Sequence, residues 1–595
     1  MIIKMIKYAF LVHHMDFTQF LEDIQNLGVI DITKEKRSMN EEEKSLLDLL
    51  TRYNNAIRTL SRKRIEGDQL SDKNGIELVE RYESIVKEME SLDSTIKKLR
   101  KEYQEQLPWG EFDTSSFDKL ADKGLYLKFF TIASKRFGSD WLAKYPLEVV
   151  SEKGGFTYFV AVVREGETIN LPANEVKLPQ HSASELYTQL QASESRREEL
   201  QQSYNELTLY IDHLTYHRNL LAESFDYKSV FNGAKREVEG TLMLLTGFVP
   251  EGSTEDLNKY LDSKGIVYFT EEAKAEDKPP IKLKNNTFAK LFEPVGELYV
   301  PPSYTELDLT AFFAPFFVMF FGLCMGDVGY GIVFILIGFL IRNKPKFAEF
   351  RPYILLMQWL GLGAVVMGML SGGVFGTEMR NWAFLPQNMR DMFLDTDKMM
   401  IFAVGIGFVQ IIFGLFIKAY NRAKQRGWQF GIAPIAWILI LIGLGMLLAP
   451  NLAYIGKVLS LTGVGLLLIF SNPEAGIFGR IGHGLVELYD VTGFFGDLLS
   501  YIRLFALGIS GSILGMVVNK IASLALGVDL YGVEYIIFGL ILLIGHSANI
   551  ALSSLGSFVH PLRLTFVEFY KNSGFEGGGR YYIPFARRTK TEKKN

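Results

Sequence analysis

A single cysteine, Cys324, occurs among 595 residues. An intrachain disulfide is therefore impossible, and no multi-cysteine metal site can form. Positive charge is not in excess either. The formal net charge is −4, which gives no overall basic field for a nucleic acid partner. There is no GxxxxGK(S/T) phosphate loop, so ATP is not expected to bind to this chain. The opening MIIKMIKYAFLVHHMDF lacks the uninterrupted apolar core of about 7–15 residues and the small-residue cleavage site of a signal peptide. It reads as a strand, which leaves the first half of the chain in the cytosol. Long apolar runs are scarce before residue 300 and dominate residues 311–570. The chain reads as a soluble half followed by a membrane half.

In the soluble half, residues 3–11, 15–27 and 28–32 suggest strand, helix and strand. A heptad seam follows. Leu46, Leu50, Tyr53, Ile57 and Leu60 recur at steps of four and three. After EGDQLSDKNG the pattern resumes with Ile85, Met89, Leu92, Ile96, Leu99 and Tyr103, and Pro108 stops it. A second seam carries Leu186, Leu190, Leu200, Tyr204, Leu207, Ile211, Leu214 and Leu221. Two such seams most simply pair antiparallel, although an ordinary helical bundle satisfies the same spacing. Between them, LYLKFFTI and FTYFVAVV read as strands of a small α/β lobe. Residues 239–270 read as strand, capped helix and strand, with Ser253 or Thr254 as the cap and Glu255 and Asp256 in the positive first turn. The expected organisation is a membrane-proximal α/β lobe from 1–38 and 226–300. An antiparallel coiled-coil hairpin from 39–108 and 178–225 would lead to a distal α/β lobe from 109–177. A membrane domain (301–575) and a basic tail (576–595) complete the chain.

Candidate spans are 311–341, 352–373, 399–420, 430–449, 454–470, 488–526 and 534–570. The first contains GDVGYG (326–331), which favours a hairpin of two short spans. Charge placement favours the same division. RNKPKFAEFR (342–351) carries four basic residues, and only a hairpin leaves it cytosolic, as the positive-inside rule requires. NRAKQR (421–426) and RRTKTEKK (587–594) then also lie inside, and GVDLYGVE (527–534) lies outside. The fold class is an α+β cytosolic arm followed by an all-α membrane domain of eight spans, the last two long and tilted, with both termini cytosolic.

LLSYIRLFALGI (498–509) holds Arg503 in an otherwise uncharged run. A cation at the centre of a membrane helix costs at least ~2.5–3.5 kcal/mol and marks a functional position by default. On the last span, Arg563, His560, Gly556, Ser553, Asn549 and His546 follow one another at helical spacing. Gly493, Gly496, Ser500, Arg503 and Ser510 form a similar face on the span before. Two arginines on the two longest spans suit an interface with an acidic partner. Acids flank both spans: Glu487, Asp490 and Asp497 before Arg503, Asp529 and Glu534 between the spans, and Glu568 after Arg563. A stand-alone secondary ion transporter and a membrane-tethered coiled-coil scaffold are the other classes open at this point. The transporter does not need the heptad rod, and the scaffold does not need the arginines.

LLSYIRLFALGIS, VHPLRLTFVEFY followed by FEGGGRYYIPF, FFAPFFVMFFGLCMGDVGYG and GFVPEG occur in the order expected of subunit a, also called subunit I, of the V/A-type rotary ATPases, and the chain resembles that family over essentially its whole length. The resemblance implies a non-catalytic stator without a cofactor. Its arm would brace against peripheral stalks linked to the catalytic head, and central-stalk subunits would be further partners. Its membrane half would form two ion half-channels beside a rotating ring of small subunits that carry carboxylates. Carried over by motif, Arg503 is the arginine facing the ring, Arg563 is the second arginine, and His560 is the polar position before it. Eukaryotic relatives carry a glutamate about ten residues before the second arginine, where Ser553 stands here, so the outer half-channel would use groups such as His546, Asn549, Asp529 or Glu534. The chain is shorter than eukaryotic relatives, which implies a bacterial or archaeal enzyme of the plasma membrane, pumping H⁺ or Na⁺.

Overall fold

The structure, a computed structural model, describes the chain except residues 34–36, 65–66, 68, 72, 113, 139, 168, 178–180, 345–346, 349, 382–386, 388–394, 528–531 and 589–595. Two compact units are distinguished. One comprises Met1–Phe17, Val29–Thr33 and Lys235–Phe585, and the other Thr18–Gly28, Lys34–Ala234 and Ala586–Asn595.

Strand β1 (Met5–His13) and strand β2 (Asp31–Ile32) belong to the first unit, and nearly all of α1 (Phe17–Leu27) to the second. The second unit continues through α2 (Glu41–Ser61), α3 (Gly75–Gln106), α4 (Thr114–Ala121), β3 (Leu125–Ala133), β4 (Leu147–Lys153), β5 (Phe156–Arg164), β6 (Asn174–Val176), α5 (Ala183–Leu207) and α6 (Ile211–Gly233). Helix α2 starts at a capping box. Asn40 accepts from the Glu43 amide at 2.8 Å, and Glu43 accepts from the Asn40 amide at 3.0 Å. Ser182 and Glu185 repeat the device at the start of α5. Each box satisfies amides that the first helical turn leaves without partners.

The seams pair antiparallel, as their spacing suggests. Ile96 and Leu99 pack with Leu186 and Leu190, while Leu78 and Ile85 share a cluster with Leu200, Leu207 and Leu214. Ion pairs run down the flanks in the same register: Arg100 with Glu194 at 2.5 Å, Arg196 with Glu88 at 2.9 Å, and Lys228 with Glu42 at 3.0 Å. Exposed pairs of this kind add little stability and serve mainly to fix register. At the far end of α3, Trp109 stands edge-on to Phe129 and Tyr158, each at 5.2 Å. This seals the helix against a four-stranded antiparallel sheet ordered β4-β5-β3-β6. The sequence reading anticipated β3 and β5 but missed β4 and β6, which are short or exposed on alternate positions.

The first unit resumes with β7 (Lys235–Glu237), β8 (Leu242–Pro250), α7 (Thr254–Lys264) and β9 (Val267–Glu272). The two anticipated strand-helix-strand segments supply one antiparallel sheet, ordered β2-β8-β1-β9 with β7 on β8. The Lys7 ammonium, 2.6 Å from Asp277 across this lobe, holds that carboxyl below the usual carboxylate range. The expected cap of α7 is corrected. Ser253 occupies the cap position without a side-chain bond, and the Thr254 hydroxyl turns back to the Glu251 carbonyl at 2.8 Å. A tight turn over Glu251–Ser253 places that carbonyl within closer reach than the helix amides. The FEGGGRYYIPF segment lies against the same sheet. Arg580 donates to Asp31 at 2.7 Å, and the Ile583 amide donates to the other oxygen of this buried carboxylate at 2.8 Å.

Among the described residues, ten helices of ten or more residues follow in the same unit: α8 (Thr310–Met325), α9 (Val328–Arg342), α10 (Arg351–Ser371), α11 (Thr396–Arg426), α12 (Ile432–Leu447), α13 (Ala453–Phe470), α14 (Ile477–Leu488), α15 (Val491–Ser500), α16 (Ile502–Ala525) and α17 (Val533–Arg563). Between α10 and α11 lies a two-residue ladder of β10 (Gly373–Val374) and β11 (Thr377–Glu378). Among the described residues, six helical stretches are long and apolar enough to cross a membrane, and α8 and α9 are shorter apolar helices. The GDVGYG break is real. Gly326 takes a left-handed φ of 57°, and Asp327 caps α9 by accepting from the Tyr330 amide at 3.1 Å. Helices α9 and α10 approach so closely that a β-carbon at Gly331 would lie 2.7 Å from the Gly361 carbonyl oxygen.

The 488–526 span is not one regular helix. Tight i to i−3 bonds from the Tyr489 and Tyr501 amides interrupt it, so the Gly493-to-Ser510 face shifts at Tyr501. The anchor there is physical. Tyr501 is fully buried, and its hydroxyl donates to Gln410 of α11 at 2.8 Å. Helix α17 also changes character at its end, passing into a π-helical turn over Leu564–Phe569.

Candidate functional site

Arg503 occupies the first turn of α16, immediately after the anchored Tyr501, and Arg563 is the last residue of α17. His560 lies within electrostatic reach of both arginines, and Cys324 of Arg503. The structure thus brings Arg503, Arg563 and His560 together from two neighbouring helices. Among the described residues, neither arginine has a carboxylate within ion-pair distance, and one buried guanidinium nitrogen of Arg503 has no hydrogen-bond partner. The surrounding surface is apolar and uncovered. Leu552 and Leu555, which flank Ser553, are each 64 % exposed. Between α16 and α17 runs a cavity of about 200 Å³ lined by Cys324, Ser510, Gly511, Asn549, Ser553 and Gly556 among others.

His546, Asn549 and Ser553 are joined in one hydrogen-bonded chain. Ser553 donates to the Asn549 carbonyl oxygen at 3.0 Å. The buried Asn549 amide donates to the Tyr330 hydroxyl at 2.8 Å and to the Gly511 carbonyl at 2.9 Å. The Tyr330 hydroxyl lies 2.8 Å from His546 Nδ1, and His546 Nε2 lies 3.0 Å from the Asn519 side-chain oxygen. Five polar side chains on three helices therefore form a continuous path where an apolar helix pack was available, and buried polar groups persist only when so satisfied.

A second cluster gathers near the end of α17. Asp497 accepts from Lys571 at 3.1 Å and from Asn572 at 3.0 Å. Glu568 is buried in the π turn beside Ser500, and one of its oxygens has no partner among the described residues. The Ser500 hydroxyl donates to the Gly496 carbonyl at 3.1 Å. Glu487 stands apart, among Arg422, Lys418 and the exposed Asp490. Glu534 accepts from the Gly532 amide at 2.8 Å at the start of α17, remote in sequence from the arginine end of that helix. Asp529 lies outside the described residues, as do parts of the 342–351, 527–534 and 587–594 segments used to orient the spans.

Sequence reasoning missed Tyr330, Asn519 and Gln410. The signal was available for two of them, since Asn519 and Gln410 are lone amides in apolar runs, the pattern that singled out Arg503. Tyr330 gave none, because a tyrosine beside glycines reads as part of the turn.

These features define a multi-helix chain with an α/β part and a polar, arginine-bearing pair of final helices. Comparison with known proteins gives the class a particular content. The profile of the V-type ATPase 116kDa subunit family matches residues 165–360. The chain is 27% identical over 518 residues to the A-type ATP synthase subunit I of Methanocaldococcus jannaschii, covering 79% of this chain and 72% of that protein. It is 26% identical to the V-type ATP synthase subunit I of Borreliella burgdorferi, covering 99% and 100% of the two chains, and 24% identical to that of Chlamydia pneumoniae, covering 98% and 96%. A crystal structure of a cytoplasmic N-terminal domain of subunit I covers 44% of the chain at 13% identity with a TM-score of 0.21, too low to establish a common fold. Over most of its length the chain is thus similar to subunit I of archaeal and bacterial A-type and V-type ATP synthases.

Proposed function

We propose that the chain is the stator subunit of a rotary ATPase and carries ions past a rotating ring without performing covalent chemistry itself. The observation that supports this most directly is the pair Arg503 and Arg563. They stand on neighbouring membrane helices, have no carboxylate within ion-pair distance among the described residues, and border an apolar face that the described residues leave uncovered. A carboxylate on a passing ring subunit completes that arrangement. At an effective dielectric near 20, unit charges 4 Å apart interact by ~4 kcal/mol, enough to drive a ring carboxyl to release its ion without binding it permanently. Arginine suits the role because burial does not discharge it.

The Asn519-His546-Tyr330-Asn549-Ser553 chain is the outer half-channel, and Glu568 with Ser500 and Asp497 lines the inner one. Asp529, Glu534, Glu487 and Asp490 contribute at the mouths. Eight spans, counting α8 and α9 as a pair, leave both termini in the cytosol of a prokaryotic plasma membrane. The hairpin of α2, α3, α5 and α6 is the arm that meets the peripheral stalks. ATP binds in the catalytic head, and central-stalk subunits connect that head to the ring.

Purification of the tagged chain under mild detergent tests the reading. Ring and head subunits are expected to accompany it, and ion transport by the pure chain alone in liposomes would overturn it in favour of a secondary transporter. Topology is tested with a cysteine at Asn343 in a Cys324→Ser background. Labelling is expected only from the cytosolic side; labelling from outside would restore a single first span. Asn549→Leu tests the outer half-channel. The substitution removes a donor from the Tyr330 hydroxyl and the acceptor of the half-buried Ser553 hydroxyl, at a cost of about 1–3 kcal/mol, and ATP-driven uptake by the assembled complex should fall about tenfold or more. Near-normal uptake would remove the network from the ion path.

A further inference from the structure

Phe375, in the β10–β11 turn, holds a left-handed φ of 45°, a conformation that its β-carbon disfavours and that persists only where surroundings impose it. Three hydrogen bonds impose it here. The buried Asp327 carboxylate accepts from the amides of Phe375 and Gly376, each at 2.9 Å. Asn519 donates to the Phe375 carbonyl at 2.7 Å. The turn is pressed close to α16, since a β-carbon at Gly515 would lie 2.8 Å from the Gly376 Cα. The consequence is a placed aromatic ring. It stands edge-on to Tyr330 at 5.7 Å and to His546 at 5.8 Å, while 39 % of the residue remains exposed. A strained residue is thus held by the capping acid of one helix and an amide of another. Its ring packs against Tyr330 and His546, two members of the polar chain.

We propose that Phe375 is the gate of that polar chain, an apolar plug that excludes water from Tyr330 and His546 until the turn shifts. The proposal rests on reading the chain as the outer half-channel. An apolar ring at the mouth of a polar path is a barrier to ions and water. Asn519 links the gate to the path, because the same side chain bonds the Phe375 carbonyl and faces His546 Nε2. Release of the turn therefore frees a partner for His546 as it opens the mouth. The left-handed strain favours release, and the Asp327 bonds limit how far the turn travels.

Cys324 is a built-in reporter, since it is the sole cysteine of the chain and lines the cavity shared with Asn549 and Ser553. The assembled complex in membrane vesicles is treated from the non-cytosolic side with an impermeant, sulfonate-bearing methanethiosulfonate, and modification of this chain is followed by mass spectrometry. Phe375→Gly suits the backbone conformation and deletes the ring, so the modification rate should rise about tenfold or more, the effect of a correspondingly larger open population. Phe375→Leu keeps an apolar plug and should stay within about twofold of the parent, on the same arithmetic. Equal rates in the parent and Phe375→Gly would overturn the gate. A raised rate in Phe375→Gly combined with normal uptake by Asn549→Leu would uphold the plug and sink the half-channel reading, so the two fail separately.

Discussion

Complexes carrying Arg503→Ala are expected to assemble and to lose ATP-driven ion uptake entirely, and Arg503→Lys to retain at most a small remainder. Loss of the guanidinium removes the only cation in LLSYIRLFALGI. An interaction of ~4 kcal/mol at 4 Å corresponds to about a thousandfold change in the proton affinity of a facing carboxyl. Without it a ring carboxylate has no electrostatic reason to part with its ion at this station. Lysine fails for a different cause, because burial beside Arg563 and His560 favours its neutral form. Assembly should survive because one guanidinium nitrogen has no partner among the described residues to lose, and Tyr501, which anchors the helix start, is untouched. Uptake by reconstituted vesicles is measured on the same preparation whose subunit content is checked. Near-normal coupled uptake by assembled Arg503→Ala complexes would sink the stator reading at its centre.

Ile96→Pro should detach function from insertion. Ile96 is buried in α3 and packs with Leu99, Leu186 and Leu190. Proline removes a helix bond and clashes with the preceding turn, at a cost of about 3 kcal/mol or more, and the antiparallel seam has few other apolar contacts at that level. The membrane helices do not depend on this seam, so the chain should still insert. Attachment of the catalytic head should weaken, and ATP hydrolysis should become uncoupled from ion uptake. Normal head attachment with normal coupling would show that the hairpin bears no load.

The candidate site was legible only in part. Arg503, Arg563 and His560 stood out because charge in an apolar run is costly enough to demand a reason, and the folded chain does bring them together. Their neighbours were harder. His546, Asn549 and Ser553 share a helical face, which spacing alone shows, but the face does not reveal that Tyr330 and Asn519 complete their hydrogen bonds. Those partners are 216 residues away for the Tyr330–His546 bond and 27 for the His546–Asn519 bond, and no local pattern encodes such a meeting. Glu534 shows the converse, since its proximity in sequence to the last span does not bring it to the arginines.

Local chemistry in the sequence was sufficient for the division into a charge-rich and an apolar half, the heptad seams, and the break at GDVGYG. Each is decided by periodicity, charge or turn chemistry within a few residues. Tertiary structure alone decided the kink at Tyr501, the π turn that buries Glu568, the left-handed Phe375 and the polar chain across three helices. These features place groups where their intrinsic preferences would not. A tyrosine hydroxyl finds its acceptor on α11, a carboxylate is buried with one oxygen unpartnered among the described residues, and a phenylalanine takes a glycine's conformation. Only packing and hydrogen bonds from distant segments supply the free energy to hold them there.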